Sequence, residues 1–552
     1  MDLQTYDYIV VGAGSAGCAL VERLTRDARI RVLLLEAGGT DRKFWIKVPV
    51  GYGVNFANPQ LNWGYHAEPD PGLDGRAIYW PRGKVIGGSS SINAMAYMRG
   101  LPRDFDDWDA AGASGWAWRD VQPAFDRMER HLDRDGTDSA RPEGEGLLPV
   151  SDLSDQMNPF SERFLAAAEA CGWARRDNLS TATGEAVGYY RSTVRGGMRC
   201  SAADAFLAPA RRRGNLRVVT GAMVRRVTVS GRRATGVRFS ARGETFDVEA
   251  AREVILSAGA INSPKLLQLS GIGPAVLLRQ HGIDVLHALP EVGRGLQDHI
   301  AISHVFRATA PTLNNILGRV VPRVSAGIRY ALTRRGPLCV PVNQVGGYVR
   351  SDPDQPEPDI QIYCNPLSYW SGPKGRPVLD HEPGFLLSAQ LCRPTSRGEV
   401  AIRSADPMEA PSIRPNTLAT DHDRAGAARS VAIIDRLAQA PVLRDVTERR
   451  LEPAAELTDP EARMADFRAR ASTVFHPTST CRMGPDAATS VLDARLRVHG
   501  IAGLRVVDSA AFPNVTSGNT NAPTMMLGCR AGEMILEDAA TGAHDRRLAH
   551  AP

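Results

Sequence analysis

The sequence lacks the features that define several large classes of protein. Its 8 cysteines are scattered over 552 residues without a Cys-x-x-Cys pair, so we expect free thiols, no metal site and no dense disulfide framework. No stretch holds the roughly 18 predominantly apolar residues of a membrane span. The start has neither the basic segment nor the small-residue cleavage site of a signal peptide. A cytoplasmic globular protein is the expectation.

Lysine is also scarce, with 5 residues among the 66 basic ones, so 61 are arginine. These arginines are spread along the chain and mixed with 61 acids, and the longest cluster is only Arg211-Arg212-Arg213. Such a distribution predicts no nucleic-acid partner. A chain of this length exceeds what one hydrophobic core supports, so two or more domains are expected.

The first forty residues predict a βαβ unit. A short apolar run, 7–11, reads as a buried parallel strand and leads directly into Gly12-Ala-Gly14-Ser15-Ala16-Gly17. Residues 18–24 have helical spacing, and a second apolar run, 31–35, ends at Glu36 and Ala37. This arrangement is a βαβ unit with a right-handed crossover, which is typical of the α/β class.

The glycine motif has a physical reason at each position. Gly12 permits the tight turn, Gly14 lets the backbone approach a pyrophosphate, and Gly17 lets helix and strand pack closely. The positive helix end then faces the phosphates. Glu36, 19 positions beyond Gly17, would accept hydrogen bonds from a ribose diol and repel a 2′-phosphate, which disfavours NADP. The motif alone does not distinguish FAD from NAD.

Hydrophobic patterns along the rest of the chain predict two domains. The predicted helices are 121–131, 158–172, 423–440, 460–471 and 523–538; the predicted strands are a ribbon over 216–248 and runs at 253–257, 359–363, 385–392, 399–403 and 504–508. We assign 1–155, 190–300 and 472–538 to a discontinuous dinucleotide-binding domain, and 156–189 with 301–471 to a mainly antiparallel α+β domain. Residues 539–552 form a small polar tail that we expect to fray.

A loop-rich region contains a second motif, residues 81–100, with Gly87-Gly88-Ser89 and Asn93 at its centre. From the residues alone it predicts a loop that lies against a flat or charged ligand, or else a flexible linker. Together with 259–274, 291–299, 397–407, 476–484 and 508–524, however, it resembles the glucose–methanol–choline (GMC) family of FAD oxidoreductases nearly end to end.

The resemblance implies a Rossmann-like FAD-binding domain, an antiparallel substrate domain and a set of cofactor contacts. That set is Gly12, Gly14, Ser15, Ala16, Gly17, Glu36, Ala37, Trp63, Arg82, Gly87, Gly88, Ser89, Asn93, Ala94, Met95, Ala96, Val224, Asp508, Asn519, Asn521, Pro523 and Thr524. Some relatives carry a histidine at the position of Asn93 and bond it to the flavin. Asparagine cannot do so, and we therefore expect non-covalent FAD.

His476 and Asn519 are the expected catalytic pair. Removing a hydroxyl proton calls for a base poised near neutral pH, and histidine suits this best; by resemblance, the histidine that opens the motif 476–484 has this role. Asn519 would hold the substrate oxygen. We interpret its rival Asn521 as the N-cap of the next helix, with Pro523 in the first turn and the positive helix end aimed at the flavin.

Three other reactive side chains are given structural roles. Asp298 and His299 resemble an acid–base pair, but their motif recurs in the family as a structural loop. Cys481 lies inside the His476 motif without an evident base, so we expect it to pack rather than react.

The resemblance implies oxidation of a primary alcohol, aliphatic or aromatic, to an aldehyde by hydride transfer to flavin N5. Electrons would then pass to a quinone-like acceptor or O2. Choline is a close rival, and a flavin-containing lyase, a NAD enzyme and a non-catalytic binding protein are more distant ones. Peripheral contact with the inner membrane is compatible with these expectations, and the sequence leaves the oligomeric state open.

Overall fold

A computed structural model describes residues 5–139, 146–371 and 377–541. Two large sheets organise these residues. Their strands are β1 (Tyr6–Val11), β2 (Val32–Glu36), β3 (Ala186–Tyr189), β4 (Leu216–Thr220), β5 (Met223–Ser230), β6 (Arg233–Ala241), β7 (Glu244–Leu256), β8 (Ile300–Ala308), β9 (Val345–Val349), β10 (Ile360–Asn365), β11 (Gly384–Leu391), β12 (Thr447–Glu452), β13 (Ser472–Thr473) and β14 (Leu504–Val506).

The longer helices pack around these sheets, and smaller elements connect them. The helices are α1 (Ser15–Leu24), α2 (Pro102–Ala110), α3 (Trp118–Met128), α4 (Phe160–Ala170), α5 (Gly259–Leu269), α6 (Val320–Thr333), α7 (Asp421–Gln439), α8 (Pro460–Arg470) and α9 (Asn521–Ala540). A three-stranded sheet is formed by Arg294–Leu296, Gly398–Ala401 and Ser412–Arg414.

The first sheet confirms the predicted α/β class. Its order is β4-β2-β1-β7-β6-β5, with β14 also paired to β7, and β4, β2, β1, β7 and β14 run parallel. The central strands are short runs of Val, Ile and Leu because they are buried on both faces of the sheet. Helices α1 and α9 pack closely: a Cβ at Gly528 would lie 2.5 Å from the Ala16 carbonyl oxygen.

The predicted ribbon over 216–248 is correct only in part. Strands β5, β6 and β7 are antiparallel, with turns at Gly231 and Gly243, whereas β4 pairs parallel to β2. β7 takes part in both antiparallel and parallel pairing: its first half is antiparallel to β6, and its second half is parallel to β1 and β14. Alternation along a strand reports burial of its faces and does not reveal the direction of its neighbour.

The second sheet is antiparallel, in the order β12-β8-β11-β10-β9-β3, with β13 paired to β8. One face packs against α4 and α7, through side chains such as Phe164, Phe385 and Ile434. The other face carries the alternate residues, which are free to line a cavity. β13 extends this sheet, so Ser472 and Thr473 lie with the second sheet although the prediction assigned them to the first domain.

The predicted boundaries of two helices are wrong by a few residues. The helix predicted over 121–131 ends at Met128, because the chain then forms a strand, Glu129–Leu132, that pairs with Leu148–Ser151. The last helix begins at Asn521 rather than 523 and continues to Ala540. The remainder of the predicted tail, 542–552, lies outside the described residues.

All eight cysteines are free and buried, in agreement with the expectation of free thiols. Cys481 has no exposed surface, and burial holds the pKa of its thiol well above the usual range. Across the part of the chain that the structure describes, no helix combines the length and apolarity needed to cross a bilayer.

Candidate active site

A cavity of about 1800 Å³ runs from the carboxyl ends of β1 and β2 to the polar face of the second sheet. Typical small-molecule pockets are about 300–1,000 Å³, so the space suits a dinucleotide together with a substrate. His476 lines it, as do most of the predicted cofactor residues: Gly12, Gly14, Ser15, Ala16, Glu36, Ala37, Trp63, Arg82, Gly88, Ser89, Asn93, Ala94, Met95, Ala96, Val224, Asp508, Asn519, Asn521 and Thr524.

The phosphate-binding part of the cavity is built from backbone. α1 starts after Gly14 with no side-chain cap and no acid in its first turn, so its first N–H groups can serve an anion. Gly88 approaches from the second motif, and a Cβ there would lie 2.7 Å from the Gly14 Cα. Gly12 has φ +106°, and its Cβ would lie 2.4 Å from the Ser257 carbonyl oxygen. The turn therefore requires glycine.

Glu36 is held at the end of β2 by two backbone amides. One carboxylate oxygen accepts from Ala13 N–H at 2.9 Å and the other from Gly38 N–H at 2.7 Å. Burial raises the pKa of Glu36 to about 7, although these two hydrogen bonds act to lower it. Each oxygen retains acceptor capacity, which fits the predicted contact with a ribose diol.

Asn93 is fixed by a partner that the sequence did not reveal. Its Oδ1 accepts from Met95 N–H at 3.1 Å and from Arg199 Nη1 at 2.8 Å. The amide nitrogen is therefore the group that Asn93 offers to the cavity. Arg199 is buried, which lowers its pKa to about 9, and it also donates to the Ile46 and Ser90 carbonyls. Because Arg199 is 106 positions from Asn93, only the fold brings them together.

Three predicted cofactor residues do not line the cavity. Gly17 packs helix against turn, since a Cβ there would lie 2.1 Å from the Gly12 carbonyl oxygen. Gly87 has φ +88° and abuts the Ser91 hydroxyl. Pro523 is buried in the first turn of α9. These residues shape the backbone around the site.

The predicted capping role of Asn521 is wrong. Thr520 is the N-cap of α9, and Asn521 is the first helical residue. The Asn521 Oδ1 accepts from the Ser15 hydroxyl at 2.7 Å, which ties the start of α9 to the start of α1. No side chain caps α9 and no acid lies in its first turn. Two positive helix ends thus face one cavity.

His476 is 8% exposed, and its ring lies between two polar side chains. Its Nε2 is 3.3 Å from the Asn519 amide nitrogen, and its Nδ1 is 2.9 Å from Nδ1 of His299. The preceding Phe475 has φ +70°, a left-handed conformation that is costly for a bulky residue. The Phe475 carbonyl accepts from Arg82 at 2.6 Å. The surrounding contacts therefore impose the orientation of His476.

The contact with His299 determines which nitrogen of His476 can act as a base. His299 Nε2 is 2.8 Å from the Cys392 carbonyl, which can only accept, so Nε2 carries the proton. Burial lowers the pKa of His299 to about 4, and the ring is neutral at pH 7. Its Nδ1 must then accept from His476 Nδ1–H. The lone pair of His476 is left on Nε2, facing Asn519 and the cavity.

The electrostatic surroundings also keep His476 neutral. Burial, the neighbouring His299 and the positive charge of Arg82 lower its pKa well below 6.5. Asp298 accepts from the His476 backbone N–H at 2.8 Å and contacts the Thr473 hydroxyl. Burial raises the pKa of Asp298 to about 7. Asp298 and His299 thus hold His476 in place, a relation the sequence did not reveal because they are about 177 positions away.

The second sheet forms the floor of the other half of the cavity. Alternate residues of β8, β10 and β11 face it, including Ser303, Gln361 and Ser388. An aromatic group stands beside this floor: Phe56 makes edge contacts with Tyr52 at 5.4 Å and with Phe475 at 5.3 Å between ring centroids. This half of the cavity therefore offers both hydrogen-bonding and aromatic surfaces next to His476.

Comparison with known proteins agrees with this geometry. Two family models described as GMC oxidoreductase match residues 6–301 and 394–528. An alcohol dehydrogenase [acceptor] of Pseudomonas putida is 39% identical over 536 residues, which cover 96% of each chain. An oxygen-dependent choline dehydrogenase of Photobacterium profundum is 37% identical over 535 residues, covering 96% of this chain and 93% of the relative.

Solved structures show the same fold over nearly the whole chain. A pyridoxine 4-oxidase from Mesorbium loti has a TM-score of 0.85 at 31% identity, covering 97% of this chain and 99% of the other. A formate oxidase of Aspergillus oryzae, solved in a study of FAD modification, has a TM-score of 0.90 at 26% identity, covering 98% and 99%. The chain belongs to the GMC oxidoreductase family and is an oxidoreductase whose cofactor is FAD.

Proposed function

We propose that this protein oxidises primary alcohols to aldehydes, with His476 as the general base. The observation that carries the proposal is that His476 Nε2 and the Asn519 amide nitrogen lie 3.3 Å apart and both residues line the cavity. An alcohol oxygen beside both groups would give its proton to Nε2 and accept a hydrogen bond from Asn519. Bound FAD supplies the acceptor for the hydride that leaves the carbon.

The residues around these two groups favour loss of a proton from a neutral hydroxyl. Nε2 of His476 is unprotonated because His299 accepts a hydrogen bond from His476 Nδ1 and so keeps the proton on that nitrogen. As the proton moves to Nε2, Asn519 retains its bond to the oxygen and stabilises the negative charge that develops there. His476 is 8% exposed, and this burial strengthens both interactions.

The cofactor half of the cavity supports FAD held without a covalent bond. The N-terminus of α1 and Gly88 would bind the pyrophosphate, and Glu36 would bind the ribose. Asn93 would donate to the flavin while Arg199 holds its Oδ1. A quinone-like compound or O2 would then reoxidise the enzyme, as suits a chain similar to an alcohol dehydrogenase [acceptor].

Choline is the second candidate substrate. The group of Tyr52, Phe56 and Phe475 favours it, since aromatic faces bind quaternary ammonium groups. The similarity to choline dehydrogenases points the same way. A lyase of the same fold would bind FAD without net redox chemistry, and neither His476 nor Asn519 distinguishes it from an alcohol oxidant.

Anaerobic reduction by a panel of aliphatic alcohols, aromatic alcohols and choline tests the proposal. We expect the yellow holoenzyme to bleach with primary alcohols, and admission of air then separates an oxidase, with fast return of colour, from a dehydrogenase. Faster bleaching by choline than by any other alcohol would favour the second candidate. An enzyme that keeps its colour with every alcohol would contradict both.

The pH dependence follows from the protonation state of His476. A general base must be unprotonated, so kcat/KM falls as the pH drops through its pKa. Because burial, His299 and Arg82 lower that pKa well below 6.5, we expect protonation of His476 to reduce kcat/KM only below pH 6.5. Initial rates over a pH series measure this. If kcat/KM already begins to fall above pH 7 as the pH is lowered, the assignment of His476 as the general base would be contradicted.

A further inference from the structure

Helix α6 presents an apolar stripe to the outside of the molecule. Val320, Val324, Ile328 and Leu332 recur at every fourth position, with Val321 beside them, and their exposed fractions are 66%, 55%, 58%, 80% and 80%. The opposite side of the helix is the one that packs inward, through Ala326 and Tyr330. Large apolar side chains lying together on one exposed helix face are typical of an interaction surface.

Arginines flank this stripe. The segment 299–351 contains seven arginines and neither Asp nor Glu. At about 100° per residue, Arg323 and Arg329 lie on opposite flanks of the stripe, and both are exposed. No ion pair joins either of them to an acid within 5–139, 146–371 or 377–541. At the ends of the helix, Arg319 pairs with Glu382 at 3.8 Å and Arg335 pairs with Asp155 at 2.5 Å. Arg323 and Arg329 are therefore the arginines of α6 that remain for an external anionic partner.

The start of α6 is connected to the lining of the cavity. Leu317, three positions before α6, lines the cavity and packs in one apolar cluster with Leu379. Leu379 pairs with Tyr369 in a short hairpin. Tyr369 and Trp370 both line the cavity, with 38% and 52% of their surface exposed. Apolar side chains therefore link the exposed lining residues Tyr369 and Trp370 to the start of α6.

We propose that α6 binds the surface of an anionic lipid bilayer. Its apolar stripe would enter the boundary between headgroups and acyl chains, and Arg323 and Arg329 would pair with lipid phosphates on either side, the arrangement of an interfacial amphipathic helix. Tyr369 and Trp370 then face the membrane. Resting on the proposed function, this gives membrane-dissolved alcohols or quinone-like acceptors direct access to the cavity.

The charges favour a bilayer over a second copy of the chain. If two copies packed stripe against stripe, the arginines that flank each stripe would meet the same arginines of the other copy, and like charges oppose association. A phosphate surface complements them instead. The short apolar length of α6, 14 residues, suits a helix lying on a membrane rather than one crossing it.

Cosedimentation of the holoenzyme with vesicles tests this inference. We expect binding to vesicles of phosphatidylcholine with phosphatidylglycerol, weaker binding as salt is added, and little binding to phosphatidylcholine alone. The double variant Val324→Ser/Ile328→Ser should lower vesicle affinity about tenfold or more. The double variant Arg323→Gln/Arg329→Gln should remove the preference for anionic lipid.

A matched control changes exposed apolar side chains outside α6. Val276 and Leu286 are 68% and 53% exposed, and Val276→Ser/Leu286→Ser should leave vesicle binding unchanged. The flavin of all these variants should be reduced normally by a short-chain alcohol in solution, because none of the substituted residues lines the cavity. Vesicle binding does not require turnover, so failure of the alcohol assay would count against the proposed function alone.

Two results would overturn the proposal. One is equal vesicle binding by wild type and Val324→Ser/Ile328→Ser. That result would mean that the stripe of α6 makes no contact with the membrane. The other is a dimer in analytical ultracentrifugation that this variant dissociates, in the absence of any vesicle binding by wild type. That result would assign the stripe to a second copy of the chain.

Discussion

His476→Ala should retain bound FAD and lose about 10²- to 10⁴-fold in the rate of flavin reduction by alcohol, the usual contribution of a positioned acid or base. The ring of His476 lines the cavity with Nε2 beside Asn519. Its removal takes away the proton acceptor beside Asn519, while the glycine turn, Glu36 and the Asn93 loop remain. Stopped-flow absorbance under anaerobic conditions measures both the flavin content and the rate.

His422→Ala is the matched control for this variant. His422 is exposed on α7, and its loss should change neither the flavin content nor the rate. If His476→Ala reduces as fast as wild type, the assignment of the base is wrong. A variant that purifies without FAD would instead show that His476 contributes to cofactor binding.

His299→Leu should lower kcat/KM by roughly ten- to a hundredfold, the cost of leaving a buried polar group without its partner. Leucine cannot accept from His476 Nδ1–H, so the proton is free to move to Nε2 and the base loses its lone pair on the cavity side. We also expect a changed acid limb in the pH profile, because His299 contributes to the low pKa of His476.

His299→Asn separates this positioning role from a merely structural one. Its amide oxygen can occupy the place of Nδ1 and accept from His476, so kcat/KM should recover most of the loss seen with leucine. Equal activity and equal pH profiles in wild type and His299→Leu would contradict the tautomer argument. Equal losses in both variants, with unchanged pH profiles, would assign His299 to packing.

The parts of the site that depend on local geometry were predictable from the sequence. Gly12, Gly14 and Glu36 belong to one turn and one strand end, where steric demands act over a few residues. The fold class followed from strand and helix periodicity in the same way. Most of the expected cofactor residues line the cavity because their motifs are contiguous and carry their own backbone shape.

The parts that depend on distant contacts were not predictable. His299 meets His476 across 177 positions and Arg199 meets Asn93 across 106, and neither pair leaves a local pattern. Asn521 shows a subtler failure: a cap preference describes a residue type at a helix start, but the bond to Ser15 draws its side chain toward α1. Tertiary contacts decided these cases.

The pleat of the second sheet assigns adjacent residues to different tasks. Ser303 and Ser388 face the cavity, while their neighbours Ile302 and Leu387 are buried against helices. Substitutions at every second position can therefore reshape what the enzyme accepts with little penalty in folding. Divergence within this scaffold can proceed one pocket-facing position at a time, which gives a physical route by which a single architecture acquires many substrate preferences.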